Sequence, residues 1–205
     1  MTEDLPTTRW ESGENGGFAA HFGELIAAGA DIEGEARLAD TLLPRGSAVL
    51  DAGAGFGRIG AALQARGHRV VAVEKDPDLV AMAAERYPDL AMVQSDILAL
   101  TADFLADRGH PRELDLVVLV GNVIVLAAPD TEVRMLRTLA GLLAPGGRIL
   151  VGFHPVRTHG NARDYPYDEF AADVAAAGLV VQHRFGGYEL QPPAEDYVVA
   201  VLTSA

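Results

Sequence analysis

Short apolar stretches alternate with helical patterns of apolar residues along most of this chain. After Pro44 we predict seven β-strands, at residues 48–53, 68–74, 90–93, 113–121, 147–153, 178–185 and 195–202. Helical patterns separate most of these strands. Strands that alternate with helices form a mostly parallel sheet with helices on both faces, so the pattern predicts a doubly wound α/β fold.

Turn-forming and capping residues mark the ends of two predicted helices. Asp76 is a typical N-cap, Pro77 follows at the first helical position, and Pro88 ends that helix. Another helical pattern continues to Leu143, and we expect it to end at the turn formed by residues 145–147.

The last two predicted strands are joined without a helix. The connecting loop "GGYELQPPAED" is too irregular for a crossover helix, so residues 178–185 and 195–202 are expected to pair as a hairpin. The sheet is therefore predicted to end with one antiparallel C-terminal strand.

Residues 1–45 are predicted to form an N-terminal helical cap segment on a domain spanning residues 46–205, the whole being one compact domain. One apolar helical stripe consists of Phe18, Phe22, Leu25 and Ile26. A second helical pattern covers residues 33–43. Trp10, the single tryptophan, either folds over the functional site or lies in a frayed terminus, and its ordering by a bound ligand is a hypothesis.

Composition excludes several classes of partner and chemistry. The formal net charge is −13 and no basic run occurs, so we expect no nucleic-acid partner. The chain has no cysteine, which rules out disulfides, thiolate metal sites and a cysteine nucleophile. The acidic, polar N-terminus and the lack of a long apolar run predict a cytoplasmic protein without membrane contact.

The segment "DAGAGFG", residues 51–57, joins a predicted strand to a predicted helix and carries glycines at positions 53, 55 and 57. A dinucleotide fingerprint would place its third glycine at position 58, which is arginine here. This spacing after an acidic residue resembles motif I of the class I S-adenosylmethionine-dependent methyltransferases. The resemblance implies a Rossmann-like fold, S-adenosyl-L-methionine as cofactor and S-adenosyl-L-homocysteine as product.

Later segments extend the resemblance through residue 154. Glu74 ends the next strand, at the distance from the glycines where an acidic residue accepts ribose hydroxyls, although a plain surface carboxylate is the alternative. In "QSDIL", Asp96 and Ile97 match the family's adenine contacts, but Asp96 fits an N-cap about equally well. The expected cofactor-binding residues are Asp51, Gly53, Ala54, Gly55, Gly57, Arg58, Glu74, Lys75, Asp96, Ile97, Gly121 and Asn122.

The acceptor is expected to be a small molecule methylated at N or O. The fourth strand ends in "GNVIVL", where the resemblance implies a methionyl contact and the start of the substrate pocket. It lacks the Asn/Asp-Pro-Pro-aromatic signature of enzymes that act on nucleobase or glutamine-amide nitrogens. A cofactor-binding protein without catalysis and, less favoured, an NAD(P)-dependent oxidoreductase remain alternatives, and the protein is expected to be a monomer or homodimer.

Few side chains are candidates for a general base. His154 and His21 are the catalytic candidates, and His159 lies near His154, although a surface or packing role is the commoner one for each. No third ligand accompanies His154 and His159, so no metal site is predicted. Tyr165, Tyr167 and Tyr188 are candidates for the acceptor pocket, with core packing as the alternative.

Overall fold

The computed structural model describes residues 5–13, 17, 24, 27–158 and 160–205. The predicted stripe from Phe18 to Ile26 lies outside these residues. The described helices are α1 Gly34–Thr41, α2 Arg58–Ala65, α3 Pro77–Arg86, α4 Ala102–Ala106, α5 Glu132–Ala140 and α6 Tyr167–Ala176. The strands are β1 Ala48–Ala52, β2 Arg69–Glu74, β3 Ala91–Gln94, β4 Leu114–Leu119, β5 Leu143–Phe153, β6 Leu179–Phe185 and β7 Val198–Ser204.

The seven strands form one sheet in the order β3-β2-β1-β4-β5-β7-β6. Strands β1 to β5 pair in parallel, and β7 runs antiparallel to both β5 and β6. The predicted hairpin and the single antiparallel strand are therefore confirmed. The antiparallel strand lies second from the edge, because β7 inserts between β5 and β6.

Each face of the sheet is covered by a separate apolar layer. Val49 and Leu116 point to the face covered by α1 and α2, whereas Leu50 and Val117 point to the face covered by α4, α5 and α6. This alternation along strands that are buried on both sides is typical of a doubly wound sheet. Within the described residues, no helix combines the length and the apolar composition that a membrane crossing requires.

The predicted end of the fifth helix was wrong. Helix α5 ends at Ala140, and Leu143 begins strand β5 by pairing with Leu114. The segment 145–147 lies inside β5, where the register shifts between the pairs Leu114–Leu143 and Leu116–Arg148. Pro145 disfavours the helical conformation at Ala144, and pairing with β4 then gives the backbone of this segment its hydrogen-bond partners.

The N-cap predicted for α3 is confirmed. The Asp76 carboxylate accepts hydrogen bonds from the backbone N–H groups of Asp78 and Leu79, and Pro77 occupies the first helical position. This cap fixes the start of α3 directly after β2. The residue before it, Lys75, is therefore held in the turn that borders the carboxyl end of the sheet.

Candidate active site

The strand order reverses between β1 and β4, and the loops that leave these two strands lie side by side at the carboxyl end of the sheet. Doubly wound sheets have their ligand-binding cleft at this position. A Cβ atom at Gly53, after β1, would lie 2.6 Å from both methyl groups of Val123, after β4. The two loops therefore approach each other to a distance that only glycine permits. This places the predicted glycine loop at the position where doubly wound sheets bind ligands.

The glycine loop is pinned to the end of β2. Gly53 and Ala54 donate backbone hydrogen bonds to the Val73 carbonyl, at 2.9 and 3.0 Å. Gly53 and Gly57 adopt φ values of 75° and 84°, in the left-handed region that favours glycine. The loop thus turns tightly from β1 into α2 and stays next to the end of β2.

The Glu74 carboxylate holds this loop by hydrogen bonds. Its Oε2 accepts a hydrogen bond from the Gly55 N–H at 2.8 Å, and its Oε1 accepts from the N–H groups of Lys75 and Asp76 at 2.7 and 2.9 Å. The residue is 8% exposed, and burial raises the pKa of its carboxyl while the three N–H donors oppose the rise. Glu74 is therefore a loop anchor, and not the plain surface carboxylate weighed as the alternative.

Asp51 lies at the end of β1 beneath the loop. It is 2% exposed, and its Oδ2 accepts a hydrogen bond of 2.8 Å from the Gly60 N–H at the start of α2. Burial raises the pKa of this carboxyl to about 7. The folded chain therefore disfavours the ionised form of Asp51, and a cationic ligand group nearby would stabilise it.

The raised pKa of Asp51 predicts a specific pH dependence of stability. Between its unfolded and folded pKa values, about 4 and 7, the folded state holds a proton that the unfolded state has lost, so Asp51 makes stability fall as pH rises. Asp51→Asn is expected to gain about 2 kcal/mol in unfolding free energy relative to wild type between pH 5 and pH 7. Urea unfolding of both proteins measures this difference, and parallel curves across the range would contradict it.

The two carboxylate oxygens of Asp96 have different surroundings. Oδ1 accepts a hydrogen bond of 2.8 Å from the Leu98 N–H and so caps the short helical turn Ile97–Ala99. Oδ2 is buried and pairs with the Lys75 ammonium at 3.0 Å, which leaves one of its two lone pairs open. The N-cap interpretation thus explains one oxygen, and the other is available for a ligand.

Arg58 uses its side chain to hold α1 in place. The guanidinium donates to the Ile32 carbonyl and pairs with both oxygens of Glu35, the Nη1 to Oε2 distance being 2.9 Å. This ion pair is largely buried, with side-chain exposures of 11% and 13%. The arginine at the position of the missing third glycine therefore joins the glycine-loop helix to the preceding segment.

The N-terminal residues 8–12, here called the strap, cross the loops at the carboxyl end of the sheet. The backbone N–H groups of Arg9 and Trp10 donate to the carbonyls of Ala127 and Leu126, in the loop after β4. The Trp10 indole N–H donates to Asp76 at 2.8 Å, and Glu11 pairs with Lys75 at 2.7 Å. Among the two possibilities for Trp10, the structure favours the one in which it folds over the site.

The strap contacts Lys75 and Asp76, which follow Glu74 directly, so ligand binding at this end of β2 is expected to stabilise the strap. Trp10 is the single tryptophan and therefore reports on the strap by its fluorescence. Saturating S-adenosylhomocysteine should slow tryptic cleavage after Arg9 severalfold and change Trp10 fluorescence. Cleavage after Arg112, which precedes β4 at the opposite end of the strands from the strap, serves as the control and should be unchanged. Equal cleavage after Arg9 with and without the ligand would refute the coupling.

Polar and aromatic side chains meet where β4 and β5 end. Asn122 Oδ1 lies 2.9 Å from the backbone N and 3.1 Å from the ring Nδ1 of His154. The His154 ring packs edge-on against Tyr197, whose hydroxyl lies 2.8 Å from that of Tyr188. Asn122, His154 and Tyr188 are candidates from the sequence, but Tyr197 is not. The contacts among the four could not be predicted, because they follow β4 and β5, precede β7 or lie in the hairpin loop.

The other candidates from the sequence have different outcomes. Tyr165 is fully buried, and its hydroxyl donates to Asp173, so it is a packing residue. Tyr167 packs against Phe170 and lies beneath the Arg184 guanidinium. His21 and His159 lie outside the described residues. No group of three or more His, Asp or Glu that could hold a metal ion occurs in the part of the chain that the structure describes.

Comparison with known proteins identifies the family. Residues 49–147 match a family model described as a methyltransferase domain. A TehB-like SAM-dependent methyltransferase from Corynebacterium glutamicum is 32% identical, with a TM-score of 0.80 over 92% of this chain and 96% of that one. The chain belongs to the class I S-adenosylmethionine-dependent methyltransferases. Its cofactor is accordingly S-adenosylmethionine.

Two more distant matches are named for different substrates. A 1,6-didemethyltoxoflavin-N1-methyltransferase from Burkholderia thailandensis, solved with S-adenosylhomocysteine, is 22% identical, with a TM-score of 0.63 over 92% of this chain and 87% of that one. A ribosomal RNA small subunit methyltransferase A from Chlorobium chlorochromatii is 29% identical over 75 residues. That match spans 37% of this chain and 27% of the curated relative.

The polar groups and the glycine loop of the methyltransferase site fit the cofactor. Asp96 Oδ2 is a buried acceptor that pairs with Lys75 at 3.0 Å, and its second lone pair could accept from an adenine amino group. The glycine loop presents backbone at the switch point, where a Cβ at Gly53 would already clash with Val123. Asp51, the acidic residue beneath the loop, would be stabilised by the cofactor's cationic methionyl end.

Proposed function

We propose that this methyltransferase transfers the methyl group of S-adenosylmethionine to an oxygen or nitrogen of a small molecule. The observation that carries the proposal is a compact cluster of polar and aromatic side chains where β4 and β5 end, formed by Asn122, His154, Tyr188 and Tyr197. The net charge of −13 and the lack of a basic run disfavour a nucleic-acid acceptor.

We assign the cofactor contacts to the residues predicted from the sequence. Glu74 would accept the ribose hydroxyls, Asp96 Oδ2 the adenine amino group, and the Gly121 carbonyl the methionyl amine. Ile97 would offer its backbone N–H to the adenine ring. Glu74 already accepts three backbone hydrogen bonds, so at most one of its lone pairs, on Oε2, is open to a hydroxyl without displacement of a donor.

Catalysis in this assignment depends mainly on positioning. Bound S-adenosylmethionine supplies an activated methyl group on a cationic sulfur. The protein's residues hold the acceptor atom near that methyl carbon and keep water away from it, which is an entropic and a desolvation effect. Lys75 and Asp76 contact the strap, so that residues 8–12 can close the adenosine side of the cleft.

A panel of acceptors tests the proposal. The protein with S-adenosylmethionine is incubated with low-molecular-weight amines, phenols and hydroxy acids and, separately, with total RNA, and S-adenosylhomocysteine release is measured. Turnover with small amines or hydroxyl compounds supports the proposal. Turnover with RNA alone would overturn it, and cofactor binding without turnover on any acceptor would indicate a binding protein without catalysis.

A further inference from the structure

Lys75 lies between the strap and the carboxylate that we assign to the adenine. Its ammonium nitrogen is 2.7 Å from Oε2 of Glu11 and 3.0 Å from Oδ2 of Asp96, and these two contacts are here called the Lys75 link. We propose that Lys75 is a positioning residue, whose ammonium couples docking of the strap to binding of the adenine amino group by Asp96. This inference rests on the assignment of Asp96 to the adenine and makes no use of the acceptor.

The backbone of Lys75 is fixed at the end of β2. Its N–H donates to Oε1 of Glu74 at 2.7 Å, and the next residue, Asp76, is the N-cap of α3. From this turn the side chain reaches Asp96, which follows β3, the neighbouring parallel strand. Lys75 therefore bridges the ends of the two strands that carry the carboxylates assigned to the ribose and the adenine.

The Lys75 ammonium fixes one of the two oxygens of the Asp96 carboxylate. Oδ1 is held by the Leu98 N–H at 2.8 Å, and Oδ2 lies against the ammonium. Asp96 is 9% exposed, so its ionised form is stabilised by a cation beside it. Both oxygens are thus oriented before a ligand arrives. The second lone pair of Oδ2 can accept from an amino group without displacing the ammonium.

Glu11 holds the same ammonium from the side of the strap. A lysine side chain has several rotatable bonds and loses conformational entropy when its end is fixed. Glu11 is itself fixed within the strap, because its Oε2 also accepts from the N–H and the hydroxyl of Thr8, at 2.8 and 2.9 Å. A docked strap therefore keeps Lys75 in place against Asp96, and an undocked strap removes one of the two partners of the ammonium.

Space remains between the strap and the turn after β2. A cavity of about 300 Å³ is bordered by Trp10 and Glu11 on one side and by Lys75 and Asp76 on the other. The strap is therefore not close-packed on this turn throughout, and the polar contacts of Trp10 and Glu11 contribute to its attachment. Of these two contacts, the one made by Glu11 leads to Asp96, through Lys75.

An ammonium group suits this position. Lys75 is the only lysine among the 16 lysine and arginine residues of the chain. Its donors share one nitrogen, which can lie close to two carboxylates at once, whereas a guanidinium spreads its donors over a plane. Burial opposes the charge of Lys75, but its contacts with Glu11 and Asp96 outweigh this effect and raise its pKa above the usual value. The ammonium thus stays charged near neutral pH.

The first test is a double-mutant cycle on the affinity for S-adenosylhomocysteine, measured by calorimetric titration. Coupling is reciprocal, so a strap that docks when the ligand binds must also tighten its binding. Glu11→Gln keeps an oxygen for Thr8 but removes the charge, and it should raise Kd about fourfold. Lys75→Met keeps the length of the side chain without the ammonium and should raise Kd about tenfold. The double variant should bind no more weakly than Lys75→Met, because Glu11 acts through Lys75.

Asp103→Asn is the matched control for the loss of charge. It removes the carboxylate of an exposed ion pair with Arg112, at the opposite end of the strands, and should leave Kd unchanged. If the effects of Glu11→Gln and Lys75→Met multiplied to about 40-fold in the double variant, the two residues would act independently, and the proposal would be overturned. A normal Kd in Glu11→Gln would overturn it as well.

The second test follows the Lys75 amine itself and needs no variant at Lys75. Because the chain has a single lysine, its acetylation by an amine-reactive reagent can be measured by mass spectrometry of the peptide that contains it. Nα-acetyllysine in the same solution is the reference. Wild-type Lys75 should react at least about tenfold more slowly than the reference, since its paired, protonated amine is a poor nucleophile. Lys75 of Glu11→Gln should react severalfold faster than that of the wild type.

Saturating S-adenosylhomocysteine should slow the acetylation of wild-type Lys75 further, by about threefold, and should have a smaller effect in Glu11→Gln. Equal rates for wild-type Lys75 and the reference would show that the Lys75 link does not form in solution. Equal protection by the ligand in both proteins would show that the strap and the adenine site are not coupled. Either result would overturn the proposal. Neither test involves an acceptor, so a lack of turnover on every small molecule would contradict the proposed function alone.

Discussion

Glu74→Ala is expected to weaken S-adenosylmethionine binding at least 30-fold and to lower the free energy of unfolding by about 3 kcal/mol. The carboxylate accepts three backbone hydrogen bonds, from Gly55, Lys75 and Asp76, and the substitution removes all of their acceptors at once. The glycine loop would lose its anchor, and the ribose its acceptor. Calorimetric titration and urea unfolding measure the two effects.

Two control variants distinguish the anchor from the charge. Glu85→Ala removes an exposed carboxylate from α3, the helix that follows β2, and should leave both quantities unchanged. Glu74→Gln keeps one oxygen but turns an NH2 group toward backbone donors, so it should lie between wild type and Glu74→Ala. Normal binding and stability in Glu74→Ala would show that the loop is held by other contacts.

Gly53→Ala is expected to destabilise the protein by about 3 kcal/mol and to reduce cofactor affinity at least tenfold. One part of the cost is conformational, because Gly53 has a φ of 75°. The other part is steric, because the new Cβ would lie 2.6 Å from both methyl groups of Val123. Moving Val123 displaces the loop after β4, which carries Gly121 and Asn122 into the site.

Gly46→Ala is the matched control for this substitution. Gly46 has a φ of 77°, close to that of Gly53, but a Cβ there would meet no atom within 4 Å. It should therefore cost only the conformational part, about 1 kcal/mol, and leave cofactor affinity unchanged. If both alanine variants were equally stable, the contact between Gly53 and Val123 would carry no energetic weight.

Much of the fold could be predicted from the pattern of apolar residues. Strands β1, β2 and β4 are short apolar runs bounded by turn residues. Runs of this kind are typical of parallel strands that are buried on both faces of a sheet. The end of α5 was less predictable. Leu143 fits both a helical repeat and a strand, and only its pairing with Leu114 decides between them.

For the candidate site, too, some features could be predicted from the sequence and others could not. The glycines, Glu74 and Asp96 lie next to strand ends, so their approximate location follows from the order of the elements. The hydrogen bond from Gly55 to Glu74 and the pairing of Lys75 with both Glu11 and Asp96 depend on tertiary contacts that no local pattern encodes. The same holds for Asn122 and His154, which meet across 32 residues of chain.

A crystal structure with S-adenosylhomocysteine tests the central assignment most directly. The account predicts the adenosine at the ends of β2 and β3, with a ribose hydroxyl within hydrogen-bond distance of Glu74 Oε2 and the adenine amino group on Asp96 Oδ2. The homocysteine end should lie over the glycine loop, near Gly121. Adenosine bound elsewhere, with Glu74 and Asp96 both making no contact to it, would contradict the account.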